Sequence, residues 1–403
     1  MTQRTSTMKI LHTSDWHLGH EHYNYQRQDE FEDFFRQLRD IVRREQPDAM
    51  LVSGDIYHSS IPTIPTQTMY VKAMLSIHEI CPEMEVIVTA GNHDSASRLE
   101  VNRSLWDHFR VRVVGNLART PDGVDFDRHV FVIPGKGIVA AVPHVFKQNF
   151  PPAADPDSDR QEAFYHALMR HVEEINTEGL PVVLMAHLAV EDKVDTNTPY
   201  EAGGMEFESL DVLGNGYDYA ALGHIHHPRF VTKGGTKARY CGSPLAITFK
   251  ESYEHSVTIA YVEHGKEPEV DIIPLHLIRP VRTIPDEPVT FDEAIDILRA
   301  YDNDDMAYIQ LNVRSANGLP SDCNERALEA AKGKRCRFCT FHLVDERDNA
   351  ARHQLIDVTP EEFLAMTPIE VARRYLEGKG LPPDDYLRLL KITMETIEME
   401  KAK

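Results

Sequence analysis

The chain has 403 residues, with 43 Lys and Arg against 64 Asp and Glu and a formal net charge of −21 at pH 7. That length suits two or three domains, and that charge argues against nucleic acid held over a broad basic surface, so a phosphate-bearing substrate would need positive charge from metal ions or a partner subunit. No run approaches the roughly 18 to 20 apolar residues of a membrane span, and the opening MTQRTSTMKI lacks the apolar middle of a signal peptide, so a cytoplasmic location with no membrane contact is expected.

In chain order the first elements alternate. MKILHTS reads as a strand and DEFEDFFRQLRDIVRREQ as a helix. DAMLVSGD is a second strand, followed by a helical stretch to about Cys81 and a third strand, EVIVTAGNHD. Over residues 28 to 46, Phe31, Phe34, Phe35, Leu38, Ile41 and Val42 recur at helical spacing and predict one buried face. Such alternation predicts an α/β sandwich with helices covering a sheet.

Short strands are expected from Val111 to Val142 and from Tyr240 to Pro274, with a helix near residues 160 to 177 between them. Pro280, Pro285 and Pro288 break regular structure and set a boundary between residues 1–280 and 281–348. From 289 to 345 the pattern is helix, strand, helix, strand, a small α/β module. Residues 349–403 follow with two or three amphipathic helices. The five cysteines, Cys81, Cys241, Cys323, Cys336 and Cys339, are too scattered for a disulfide scaffold, and the lone CxxC at Cys336 and Cys339 reads as packing rather than zinc.

The chemistry-bearing residues sit at the ends of the apolar strands. In order they are SDWH (Asp15, His17), SGDIYH (Asp55, His58), AGNHD (Asn92, His93, Asp94), MAH (His187) and LGHIH (His224, His226). Strand residues two apart point the same way, so Asp15 and His17 can reach one ion, as can His224 and His226. The carboxyl ends of strands in an α/β sheet line a crevice where such pieces converge. A donor set of Asp, Asn and His suits manganese, iron or zinc better than magnesium, and a pair of such ions would hydrolyse a phosphate ester. Asp94 is expected to orient His93 by a hydrogen bond, whereas His12, His20, His22 and His227 read as surface or satisfied core histidines.

These motifs resemble those of the calcineurin-like metallophosphoesterase superfamily. Within it MKILHTSDWHLGH, GDIYHSSIP, TAGNHDS and LGHIHHP followed by YCGSPL resemble the SbcD subunits of bacterial SbcCD nucleases, most strongly over residues 8 to 260. The resemblance implies a four-layer α/β/β/α sandwich with a small α/β capping domain and C-terminal helices docking on the coiled coil of the ATPase subunit, SbcC. It implies Asp15, His17 and His226 at a first metal, Asn92, His187 and His224 at a second, and Asp55 bridging. His93, beside the scissile phosphate, would assist leaving-group departure or stabilise the transition state, and His58 would face the substrate. Two divalent ions, manganese first, would serve exonuclease action on double-stranded DNA ends and endonuclease action on single strands and hairpins in DNA repair and recombination. The implied assembly is a heterotetramer of two SbcC and two SbcD, with a homodimer formed by helices after HSSIPT and GNHDS.

Two rivals share parts of this pattern. A calcineurin-like phosphatase or phosphodiesterase for small substrates would carry the same donors but needs no extension of more than 100 residues. A non-catalytic binding subunit would show a damaged site, and every donor type is present here.

Overall fold

The computed structural model describes residues 6–121, 123–153, 155, 158–192, 207–232, 234–345, 373 and 386–391. The chain divides into two compact units, Met1–Arg279 and Pro280–Lys403.

In the first unit, β1 (Thr7–Thr13), β2 (Ala49–Ser53), β3 (Glu85–Thr89) and β4 (Val111–Val114) run parallel and neighbour one another in that order. The crossovers are α1 (Gln28–Glu45) and α2 (Ile64–Ile80). The first carries Asp29 and Glu30 in its first turn and Arg43 and Arg44 in its last, opposing the helix dipole. The second starts at the Thr63 cap, whose side chain accepts from the Thr66 amide, with Pro65 just inside.

A second sheet holds β5 (Val130–Ile133), β6 (Gly137–Ala141), β7 (Val182–His187), β8 (Tyr219–Gly223), β9 (Arg229–Phe230) and β10 (Ala238–Tyr240), in the order β9, β10, β8, β7, β6, β5. Helix α3 (Arg160–Ile175) covers its outer face through Phe164, Leu168 and Val172. Strand β11 (Ser256–Glu263) joins the first sheet antiparallel to β1, and β12 (Glu269–Pro274) lies antiparallel to β11 at the edge.

Side-chain alternation stacks these elements. Met8, Ile10, Ala49, Leu51 and Ile87 of the first sheet share a buried layer with Val139, Val183, Met185, Tyr219 and Ala221 of the second. Their strand neighbours Leu11, Met50, Val52, Val86 and Val88 face α1 and α2 instead. A strand buried on both faces has little room for polar residues, which explains the near-continuous apolar runs. The outcome is helix, sheet, sheet, helix, the expected sandwich.

The second unit is a parallel three-stranded sheet of β13 (Val281–Val289), β14 (Tyr308–Ser315) and β15 (Arg337–Asp345), connected by α4 (Phe291–Ala300) and α5 (Cys323–Ala331). Ile309, Leu311 and Val313 pack with Ala294, Ile295, Leu298 and Ala327, and Cys336 joins this core. A capping box of Thr290 and Glu293 starts α4. One expectation fails here: Pro285 and Pro288 lie inside β13 and do not end regular structure. The strand is at the sheet edge and its register shifts between Ile284 and Val289, two conditions under which a missing N–H is tolerated. The helices expected within 349–403 lie outside the described residues, apart from 373 and 386–391. Among the described residues no helix is long and apolar enough to cross a membrane.

Leu51→Ala, which empties a fully buried position between the two sheets, is expected to lower unfolding free energy by about 2–5 kcal/mol in urea titration.

Candidate metal centre

The parallel strands β1, β2 and β3 all end where the chemistry begins. Beyond β1 and β2 the pairing continues as single contacts: Asp15 N to Gly54 O at 3.0 Å, His17 N to Asp55 O at 2.9 Å and Leu18 N to Ile56 O at 2.9 Å. To make that turn Asp15, His17 and Asp55 adopt left-handed backbone with φ of 51°, 46° and 51°. Such conformations cost energy in non-glycine residues and cluster at functional sites. Gly54 also has a positive φ of 85°, and a Cβ there would collide with the His187 ring; one at Gly91 would collide with Asp55.

Asp55 is the meeting point. Its Oδ1 accepts from the His93 amide at 2.9 Å. Its Oδ2 lies 3.5 Å from His17 Nε2 and 3.6 Å from His187 Nε2. On one side, His17 Nε2 is 3.1 Å from His226 Nε2, and Asp15, His17 and His226 offer donor atoms within 4.8 Å of one another. On the other, Asn92 Oδ1 is 3.1 Å from His187 Nε2 and 3.0 Å from His224 Nδ1. Asp15 Oδ1 accepts from the His224 amide at 3.0 Å. The structure thus draws Asp15, His17, Asp55, Asn92, His187, His224 and His226 into one cluster.

Asp15 and Asp55 are 0 % and 2 % exposed and face imidazoles, with no Lys or Arg partner among the described residues. Burial raises the Asp15 carboxyl above its ordinary value. Burial would raise Asp55 too, but His187 and His17 beside it hold it well below the usual carboxylate range. Burial would lower the His187 imidazolium, yet the Asp55 carboxylate lifts it to about 9. His224, dominated by burial, is pushed down to about 3. Buried carboxylates and imidazoles converging with no Lys or Arg among them in the described residues are a donor set that fits divalent ions, and the Asp55 carboxylate that holds a proton on His187 would as readily hold a metal cation there.

His93 and His58 flank the cluster, their rings stacked 5.6 Å apart, and His93 Nδ1 donates to the His58 carbonyl at 3.1 Å. The expected role of Asp94 is not met. Its carboxylate accepts from the amides of Gly91 at 2.9 Å, Tyr57 at 2.9 Å and Ile56 at 3.0 Å, so it ties two loops together and does not orient the His93 ring. Burial and Asp55 raise it to about 6, against those three donors.

Sequence reasoning missed Glu251, 7 % exposed, whose Oε1 lies 3.2 Å from His226 Nδ1. It also missed His144, ring-stacked 6.4 Å from His224, with Nδ1 3.3 Å from the His187 carbonyl. The remaining histidines have other partners. His12 pairs with the Tyr219 hydroxyl at 3.2 Å between the sheets, His20 accepts from Arg27 at 3.1 Å, His22 contacts the Phe249 ring and His227 the Tyr253 ring.

The sequence signature of the calcineurin-like phosphoesterases matches residues 8–228, more than half the chain and nearly all of this cluster. The chain belongs to the calcineurin-like phosphoesterase family. It is therefore a phosphoester hydrolase that works with divalent metal ions. Among curated relatives, the chain is 30 % identical to the SbcD subunit of nuclease SbcCD from Rhodobacter capsulatus, over 65 % of this chain and 68 % of the relative. It is 25 % identical to that of Bacillus subtilis over 98 % and 100 %, and 28 % identical to that of Escherichia coli K12 over 69 % and 70 %.

Asp94→Asn keeps the shape but leaves one loop amide facing an NH2 group. The expected loss is about 1–3 kcal/mol of stability in urea unfolding, because a buried donor goes unpaired.

Proposed function

We propose that this chain is the metal-dependent DNA nuclease subunit of an SbcCD-type repair and recombination complex. It acts as an exonuclease on double-stranded ends and as an endonuclease on single strands and hairpins. The observation that carries this reading is the likeness to the Bacillus subtilis nuclease subunit over 98 % of the chain, the second unit included. A small-substrate phosphodiesterase would account for the first unit alone.

In this reading Asp15, His17 and His226 would hold one ion and Asn92, His187 and His224 the other, with Asp55 shared between the two groups. Its Oδ2, 3.5 Å and 3.6 Å from one imidazole of each group, supports that division. Mixed oxygen and nitrogen donors favour manganese. Ions bound there supply a water of lowered pKa and a charge clamp on the phosphate. The protein's own part is proton handling: His93 Nδ1–H is spent on the His58 carbonyl, so it is the imidazolium form, with a second proton on Nε2, that can pass that proton to the leaving oxygen and return to the neutral ring. His58, its imidazolium disfavoured by burial and by His93, lines the same approach.

The domain assignment follows: residues 1–280 the nuclease, 281–348 a capping domain, 349–403 a docking region for the SbcC coiled coil, working in the cytoplasm as two SbcC with two SbcD. Exposure of Ile61, Ile64, Val101 and Leu105, at 70 %, 78 %, 76 % and 59 %, supports a homodimer through the helices after HSSIPT and GNHDS.

With manganese, a labelled DNA hairpin or duplex end and an SbcC-type ATPase, cleavage is expected, falling by about 10²–10⁴-fold in His93→Ala. Hydrolysis of small phosphodiesters alone, even with the partner present, favours the small-substrate reading. A chain lacking residues 349–403 is expected to cleave small phosphodiesters but not to co-elute with SbcC; co-elution at parent affinity overturns the docking assignment.

A further inference from the structure

We infer that Glu251 is a positioning residue that makes one of the two ion positions stronger than the other. The inference rests on the two-ion reading above. Glu251 belongs to none of the strand-end motifs and lies 25 residues beyond His226. Its buried carboxylate meets no Lys or Arg among the described residues, so hydrogen bonds and the neighbouring imidazoles must offset its desolvation. Oε1 is 3.2 Å from His226 Nδ1 and 3.3 Å from Thr248 Oγ1; Oε2 accepts from the Ile247 amide at 3.0 Å and from Ser243 Oγ at 3.2 Å.

A carboxylate has only acceptors, so His226 must present its N–H at Nδ1. That fixes the tautomer and leaves the Nε2 lone pair facing His17 Nε2, 3.1 Å away, in the group containing Asp15. His187, in the other group, is held in the same sense by a neutral acceptor, the Ser53 carbonyl at 2.8 Å. The two halves of the centre therefore differ in backing. One imidazole leans on a full negative charge and the other on a peptide dipole, and anionic backing raises ligand basicity more. The structure assigns the tighter position to the Asp15, His17 and His226 group.

The loop that carries Glu251 does not depend on that carboxylate alone. Arg27 Nη1 donates to the Ala246 carbonyl at 2.7 Å, and His255 Nδ1 donates to the Ser243 carbonyl at 2.7 Å. Removing the charge should leave the loop in its place.

The test is a calorimetric Mn²⁺ titration of the full chain, with electron paramagnetic resonance to count bound ions, on the parent, Glu251→Gln, Glu251→Asp and Ser243→Ala. The parent should bind two ions. Both Glu251 variants should weaken one ion by about 10–100-fold and leave the other at parent affinity. Ser243→Ala removes a bond to the far oxygen only and should keep both within about threefold. Glu251 variants that bind both ions as the parent does overturn the inference. So does an equal weakening of both ions, or the same loss in Ser243→Ala, since either means the carboxylate merely supports the loop. A parent that binds no manganese overturns the two-ion reading itself.

Discussion

Two carboxylates taken out of water, Asp15 and Asp55, are the constraint on which the rest of this centre depends. Each costs several kcal/mol to desolvate unless partners replace the lost water. The fold supplies those partners from both sheets. Asp15 takes the amide of His224 from the second sheet. Asp55 takes the amide of His93 at the end of the first sheet and faces His187 from the second. The site is therefore a seam between the sheets, and the apolar layer of Leu51, Met185 and their neighbours holds its two sides at fixed separation.

How much of this was legible depends on how local the signal is. Helix α1 was readable because six apolar residues repeat at its own period, from Phe31 to Val42. The seven clustered donors were readable because each sits within a few residues of a strand end, so strand recognition and residue chemistry point to the same place. The facing of the two sheets follows the same alternation along strands such as Met50 and Leu51, which pack in different layers.

What was hidden is non-local. Glu251 contacts His226 across 25 positions and lies in a stretch without a strand-end pattern. Asp94 looked like a partner for its neighbour His93, but adjacent side chains diverge, and three backbone amides, two of them from around Ile56, claim its carboxylate. The prolines of β13 were misjudged because edge position and a register shift are properties of the assembled sheet. His144 carries no motif of its own; only the packing of β6 beside β7 brings it to His187.

The amide of His93 that donates to Asp55 has a mechanical meaning. One backbone amide ties the residue that carries the His93 ring to the Asp55 carboxylate, so the two share a single hinge. Fluctuations of the AGNHD loop carry them together and blur their separation far less than two independent loops would. Asp94 then anchors that hinge to the adjoining segment through Ile56 and Tyr57. Both acids of the pair, Asp55 and Asp94, thus lace the two strand-end loops to each other through backbone amides, so a change in either loop is felt by the other.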